Sequence, residues 1–223
     1  MNDFHEAAVV IERAVSTRGE IQLQRRGSNY EVISNGTFLM ATYNGESEKL
    51  LVRSALQAVQ NPRHVLIGGL GVGYSLQEAT QDPRVEQVTV IEIEPKIIEW
   101  NDTVLAHITN HATRHPKANI VNADLIDWLE HNETKFDLIC LDIDNGPDWK
   151  VYEQNSSLYS HEGILLTARH LTDGGCLTFW SATASPEFVA RLQEDFSHVE
   201  VLTVPQERGE PDYIFLVKKT DFM

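Results

Sequence analysis

The sequence predicts an α/β fold: a mostly parallel sheet covered by helices, closed by a C-terminal antiparallel hairpin and preceded by a small N-terminal β-meander. From residue 63 onward, short β-rich runs alternate with amphipathic stretches, the signature of strand–helix–strand units. Near the end, HVEVLTVPQ (198–206) and DYIFLVKK (212–219) are joined only by Glu207 to Pro211. So short a link permits antiparallel pairing but no helical crossover. A length of 223 residues suits one domain with a modest extension. The change of pattern near residue 60 divides the chain into 1–60, a helix plus meander, and 61–223, the sheet domain.

Taken in order, residues 1–18 read as a helix, because Phe4, Ala7, Ala8, Ile11 and Val15 fall near helical spacing. In 20–44 the period changes to short alternating runs (Ile21, Leu23; Tyr30, Val32). These are broken by Arg26-Gly27-Ser28-Asn29 and by Asn35-Gly36, the strongest short hairpin signal. A helix follows from Glu46 to Gln60, ended by Asn61-Pro62. The parallel strands are HVLIGGL (64–70), QVTVIEIE (87–94), ANIVNAD (118–124), FDLICLDID (136–144) and GCLTFWSA (175–182). Between them lie helical stretches such as PKIIEWNDTVLAHI and SLYSHEGILLTARHL. Ligands of such sheets bind outside the carboxyl ends of the strands.

Composition narrows the function. With 18 basic and 33 acidic side chains the net charge is −15, which argues against a nucleic-acid partner. It is compatible with a cationic substrate, and equally with acidity that serves solubility alone. No apolar run approaches the roughly 18 residues of a membrane span. The opening residues carry acids among their apolar positions, unlike a secretory signal. Cys140 and Cys176 sit in apolar strand-like runs without metal spacing. A reduced, cytoplasmic protein is the expectation.

Four segments concentrate chemistry at the expected strand ends. Gly68-Gly69-Leu70-Gly71-Val72-Gly73 follows the first parallel strand, where glycines let the chain turn and let a ligand approach amides at a helix N-terminus. Tyr74 occupies the position of a third dinucleotide glycine, so the loop reads as a nucleoside cradle or a structural turn. Glu92 ends the next strand and suits a pair of ribose hydroxyls, with Glu94 as a competitor on the same face. Asp124 suits an adenine amine, or caps the helix that begins before Asp127 and Trp128. The last segment is Asp142-Ile143-Asp144-Asn145-Gly146-Pro147-Asp148-Trp149, a buried strand delivering acids and a tryptophan to the carboxyl edge. Asp142 and Asp144 share a strand face, so each raises the other's pKa. A turn with solvated acids is the plainer alternative. Trp180, just past the last parallel strand, is the tryptophan best placed to line a ligand, whereas Trp100 and Trp128 read as core or pocket wall. His107, His111 and His115 fall at i, i+4 and i+8 of a helix. No carboxylate or cysteine motif completes a metal site there, and no metal is expected.

Together these residues resemble the spermidine synthase family, aminopropyltransferases on the class I methyltransferase fold, a Rossmann-like architecture. Val65-Leu66-Ile67-Gly68-Gly69 matches its glycine-rich strand end, and Glu92-Ile93-Glu94 matches its ribose-binding acid, carried onto Glu92. Asn122-Ala123-Asp124 resembles its adenine-side Asp, and Asp142 through Pro147 resembles its catalytic loop, with the first Asp carried onto Asp142. Asn155 through Gly163, with Tyr159, resembles the segment that follows. The departures concern the substrates. The Asp of the family's glycine loop that contacts the donor's aminopropyl amine is Gly71 here, the N-terminal Gln is Leu39, and of Tyr-His-Glu only Glu48 remains.

The resemblance implies a transferase that uses decarboxylated S-adenosylmethionine, or S-adenosylmethionine itself, and a small cationic amine. It also implies a homodimer. Gly68, Gly69, Gly71, Gly73, Glu92 and Asp124 would hold the donor. Asn145, Trp149, Tyr159, Trp180 and Glu48 would hold the acceptor. A protonated amine is unreactive, so Asp142 is the candidate base, with Asp144 anchoring the cation. An S-adenosylmethionine-dependent methyltransferase is the alternative. A non-catalytic nucleoside-binding relative is the reading from another class, and NAD-dependent oxidoreduction ranks fourth.

Overall fold

The computed structural model describes residues 6–43, 45–149, 152–206 and 209–219. Phe4 of the expected N-terminal helix and Glu207 of the hairpin link lie outside them. Four antiparallel strands come first: β1 (Val9–Ser16), β2 (Gly19–Arg26), β3 (Asn29–Ser34) and β4 (Thr37–Ala41), in spatial order 1-2-3-4. The predicted meander is thus present. Over the described part of 1–18 the expected helix is replaced by a strand: β1 pairs with β2 from Val9↔Arg25 to Ser16↔Gly19. Val9, Val10, Ile11 and Val15 are β-branched and favour a pleated strand once a partner strand is beside them. Helical spacing of the same residues could not reveal that partner. Asn35 and Gly36 both have positive φ, 49° and 79°, as a tight hairpin turn of this kind requires. The Asn35 amide then donates to Arg18 O and accepts from Glu20 N, tying one hairpin turn to the other.

Helix α1 (Glu46–Ala58) lies against the large sheet rather than the meander. That sheet consists of β5 (His64–Gly68), β6 (Gln87–Glu92), β7 (Ala118–Asn122), β8 (Phe136–Leu141), β9 (Leu171–Ser181), β10 (Val199–Val204) and β11 (Asp212–Lys218). Its order is 10-11-9-8-5-6-7, with β5 to β9 parallel and β10 and β11 antiparallel. Connecting helices are α2 (Tyr74–Gln81), α3 (Pro95–Asp102), α4 (Leu125–Glu130), α5 (His161–Arg169) and α6 (Pro186–Asp195). The parallel sheet and its closing hairpin agree with the sequence pattern; β9 starts earlier, at Leu171.

Strand alternation divides the core into two layers. Val65, Ile67, Val88 and Val90 face Leu51, Val52, Leu76 and Trp100 of α1, α2 and α3. Leu66, Ile91, Ile139 and Phe179 face Leu129, Ile164 and Phe188 of α4, α5 and α6. Phe188 sits edge-on to Phe179 and Phe215, with ring centroids at 5.0 and 5.5 Å. Both faces being covered explains why these strands read as continuous apolar runs.

One helix was overestimated. Helix α3 stops at Asp102 instead of running through Ile108, and His111 adopts a left-handed conformation with φ 59°. His107, His111 and His115 therefore share no helix face. Asn101 turns its amide inward, donating to Gly71 O at 2.8 Å and Ile97 O at 2.9 Å. Among the described residues no group of three or more His, Cys, Asp or Glu is placed to hold a metal. No helix among them is long and apolar enough to cross a membrane.

The chain runs from β5 outward to β7, then returns to place β8 on the other side of β5. This reversal opens a crevice between the carboxyl ends of β5 and β8, where sheets of this type bind ligands.

Candidate active site

A cleft of about 250 Å³ occupies that crevice, roofed by Phe38 and Met40 of β4. Its floor is the glycine turn after β5. Gly69 has φ 89°, and a Cβ built on it would lie 2.0 Å from the carbonyl oxygen of Asp142. Only glycine lets the two strand ends approach this closely. Gly71 (φ 55°) also lines the cleft, and there a Cβ would meet nothing nearer than Met40 Sδ at 3.8 Å. Gly68 and Gly73 lie behind the lining, in the core and at the N-cap of α2.

Glu92 ends β6 with its carboxylate held by main-chain amides, Leu70 N at 2.8 Å and Glu94 N at 2.7 Å. Burial pushes its pKa up against these two bonds, which favour the charged form. Glu94 also lines the cleft and caps α3 through Lys96 N. Asp124 caps α4, accepting from Ile126 N at 2.8 Å and Asp127 N at 3.2 Å. Both capping bonds fall on Oδ1, so Oδ2 takes no part in the cap while the residue lines the cleft. The two readings of Asp124, cap and ligand contact, are compatible.

The acidic loop splits into two roles. Asp144 is buried and committed to the loop itself, accepting from Asn145 N at 2.9 Å and Asn155 Nδ2 at 2.7 Å. Asn155 in turn accepts from Arg18, whose guanidinium stacks 3.6 Å above the Tyr152 ring. Tyr152 also hydrogen-bonds Ser34. These contacts clamp the loop to the N-terminal sheet. Asn145, Trp149 and Trp180 line the cleft, and the indole Nε1 of Trp180 is buried without a partner among the described residues. Tyr159 is not among the described residues that line the cleft. Its ring packs on Phe179 and Phe188 in the core, so it backs the acidic loop from behind.

Asp142 is positioned by the sheet, its amide donating to Gly68 O at 2.8 Å. Its Oδ2 accepts from Ser75 at 3.3 Å. Burial, reinforced by the charges of Asp212 and Glu92, pushes its pKa up to about 7. Across the cleft, burial and then the charge of Asp142 push Glu48 of α1 up to about 8. Asp212, at the start of β11, completes the group and is also raised, chiefly by burial.

These acids have a consequence for stability. Their folded-state midpoints lie above those of the unfolded chain. Such groups support folding below the unfolded value and withdraw that support as pH rises through the folded one. The melting temperature of the ligand-free protein should therefore fall as pH rises from the ordinary carboxylate range toward about 7 and about 8, and level off above, where Asp142 and Glu48 are ionised in the folded protein too. Glu48→Gln, neutral throughout, should flatten this decline and melt several degrees above the parent at pH ~9. Parallel melting curves for the two proteins would show that Glu48 is ionised at every pH.

Of the residues singled out in the sequence, the cleft brings together Glu48, Gly69, Gly71, Glu92, Asp124, Asp142, Asp144, Asn145, Trp149 and Trp180. Tyr159, Gly68 and Gly73 stand outside it. Sequence reasoning missed Asp212, Ser47, Ser75, Arg18 and Tyr152. The signals available were the place of Ser47 beside Glu48, in the segment compared with Tyr-His-Glu, and the position of Asp212 at the mouth of the closing hairpin.

Comparison with known proteins adds four matches. Residues 46–204 match the spermine/spermidine synthase domain. A polyamine aminopropyltransferase of Ralstonia nicotianae is 30% identical over 143 residues, 63% of this chain and 27% of that protein. One from Thermococcus onnurineus is 26% identical over 173 residues, covering 74% and 61%. The chain thus spans about a quarter of the length of the Ralstonia relative. In structure, spermidine synthase in complex with the transition-state analogue AdoDATO superposes with a TM-score of 0.82 at 20% identity, over 94% of this chain and 73% of that one. That likeness is one of fold.

Proposed function

Because the chain belongs to the spermine/spermidine synthase family, we propose that it is an aminopropyltransferase, passing the aminopropyl group of decarboxylated S-adenosylmethionine to a small cationic amine. The observation that carries this reading is Asp142, held at the carboxyl edge of the sheet inside an acidic cleft with its pKa near 7. A base of that strength suits an amine that arrives protonated.

The donor lies along the β5–β6 side. Glu92 keeps free lone pairs on both oxygens for two ribose hydroxyls, and Oδ2 of Asp124 accepts the adenine amine. Gly69 and Gly71 give the donor room against the main chain. The acceptor lies beside Asp142 and Glu48, with Trp149, Trp180 and Asn145 forming its walls. Asp142 takes a proton from the ammonium, and the freed nitrogen attacks the carbon bonded to the sulfonium. The carbon–sulfur bond breaks with its electron pair left on sulfur, so a neutral thioether departs. Charge disappears from the donor during this step, which makes alignment the main contribution. The commitment of Asp144 to Asn145 and Asn155 supports a loop-holding role in place of direct cation anchoring.

One observation favours a second reading, methyl transfer from S-adenosylmethionine. Gly71 removes the acid that would repel the carboxylate of that donor, and Arg18 is the one basic residue in the described lining. Thermal shift separates the two. A donor at about 100 times its Kd stabilises by roughly 2.7 kcal/mol. We expect the decarboxylated donor to raise the melting temperature more than S-adenosylmethionine at equal concentration. The reverse order selects the methyltransferase, and no response to either selects a non-catalytic relative.

The exposed Val9, Val10, Ile11 and Val15 of edge strand β1 suit the implied homodimer. Light scattering should then give twice the chain mass of 25.2 kDa. A monomer mass at micromolar concentration would remove that reading.

A further inference from the structure

The acceptor end of the cleft contains a hydrogen-bond arrangement that is satisfied when one carboxyl of a facing pair carries a proton. Ser47 Oγ lies 2.7 Å from Asp212 Oδ2 and 2.9 Å from Glu48 Oε2. A serine hydroxyl has a single proton, so it donates to one of these oxygens and must accept from the other. Asp212 Oδ2 also receives Gln206 Nε2, a bond that favours the carboxylate form of Asp212. The shared proton is then better placed on Glu48, since a carboxyl donates only when protonated. The groups facing Glu48 are consistent with this. Asp142 and Asp212 face it across the cleft, Tyr74 lies within its field, and Lys49 sits 5.0 Å over the Tyr74 ring. Glu92 acts from beyond Asp142.

A second observation, independent of the acids, directs this end of the cleft toward a ligand. Trp180 pairs with Ile214 across β9 and β11, two residues along from Asp212. Its buried indole N–H lines the same wall and has no acceptor among the described residues. An unmet buried donor costs about 1–3 kcal/mol, which a bound molecule would relieve.

We propose that Asp212, acting through Ser47, is a positioning residue of the acceptor end: it orients the hydroxyl that keeps a proton on Glu48 in the ligand-free protein, and a primary ammonium that enters expels that proton to solvent. The balance is simple. R–NH3+ and Glu48–COOH become the ion pair of R–NH3+ with Glu48 carboxylate, and one proton passes to the buffer. No bond to carbon changes. This inference rests on the reading of the cleft as an amine site and adds to it a proton-linked binding step. Amine affinity then rises up to tenfold per pH unit while Glu48 is still protonated, and neutral molecules of the same shape gain nothing from the exchange.

Carbon-13 NMR of the glutamate carboxyls in the full chain tests this with and without turnover. In the ligand-free protein, Glu48 should titrate near 8. With saturating 1,4-diaminobutane its midpoint should fall by at least two pH units. Asp212→Asn keeps the size of the side chain but removes a facing charge, and should lower the ligand-free midpoint by about one unit. Ser47→Ala should move it as well, whereas Ser47→Thr, which retains the hydroxyl, should not. A merely structural role for Asp212 would change stability and leave these midpoints in place. A Glu48 midpoint in the ordinary carboxylate range, in a protein that still transfers the aminopropyl group, overturns the inference and leaves the function standing. A raised midpoint that ignores 1,4-diaminobutane, in a protein that binds neither donor, overturns the functional reading and the ligand-linked half of the inference with it.

Discussion

Asp142→Asn is expected to reduce transfer by about 10²–10⁴-fold, the range for loss of a general base, while donor affinity changes little. The substitution is close to isosteric. The main-chain bond from residue 142 to Gly68 O is untouched, and the amide oxygen can still accept from Ser75. It also removes a buried charge, so the variant should melt no lower than the parent near pH 8. In the parent, kcat/KM for the amine should rise with pH through about 7, because the free enzyme then loses the proton from Asp142. A stopped assay with saturating donor, together with a donor titration by calorimetry, separates the outcomes. If donor binding disappears along with activity, Asp142 is a donor-binding or structural residue and the proposed mechanism fails.

Gly69→Ala should damage the fold itself. A methyl group there would sit 2.0 Å from the Asp142 carbonyl oxygen, and the obstacle is main chain that cannot rotate aside. The φ of 89° adds a strain of about 1–3 kcal/mol for a residue with a side chain. The displaced strand end also carries the Gly69 N to Ile91 O bond, and with it the placement of β6 and Glu92. We expect a loss of at least about 3 kcal/mol, or roughly 10 °C in melting temperature, with donor binding lost as well. Gly71→Ala is the control. Its φ of 55° is a conformation that costs about 1–2 kcal/mol. The nearest neighbour of the new methyl is Met40 Sδ at 3.8 Å. A Gly69→Ala protein that melts and binds like the Gly71→Ala protein would show that the strand ends separate easily.

The two substitutions draw on different kinds of information. Gly69 and Asp142 were both singled out from sequence, yet their contact was not foreseeable, because 72 residues of intervening chain separate them. The topology of the sheet brings them together at the reversal between β5 and β8. Asp212 was passed over for the same reason. It begins the last strand without any motif around it, and its relation to Glu48 arises only when α1 lies across the sheet beside β11. Tyr159 shows the opposite case. It stands in a segment that resembles the family, but the 3-10 turn Glu153–Tyr159 carries its ring into the aromatic core.

What the sequence determined by itself is local and periodic. Apolar runs with turn chemistry between them defined the parallel strands, and Asn35-Gly36 defined a hairpin. Glycines and acids at strand ends marked one edge of the sheet. Periodicity misled where two periods fit the same residues, as in Val9–Ser16, and where an inward-turning side chain, Asn101, marks the end of a helix that hydrophobic spacing would continue. Tertiary structure alone decided which acids share a dielectric environment. A carboxyl's proton affinity depends on burial and on charges a few ångströms away, supplied here by α1, β8 and β11 from distant parts of the chain. Sequence can name Glu48 and Asp142 one at a time. Only the fold brings Asp212 beside them and sets the charges under which each one titrates.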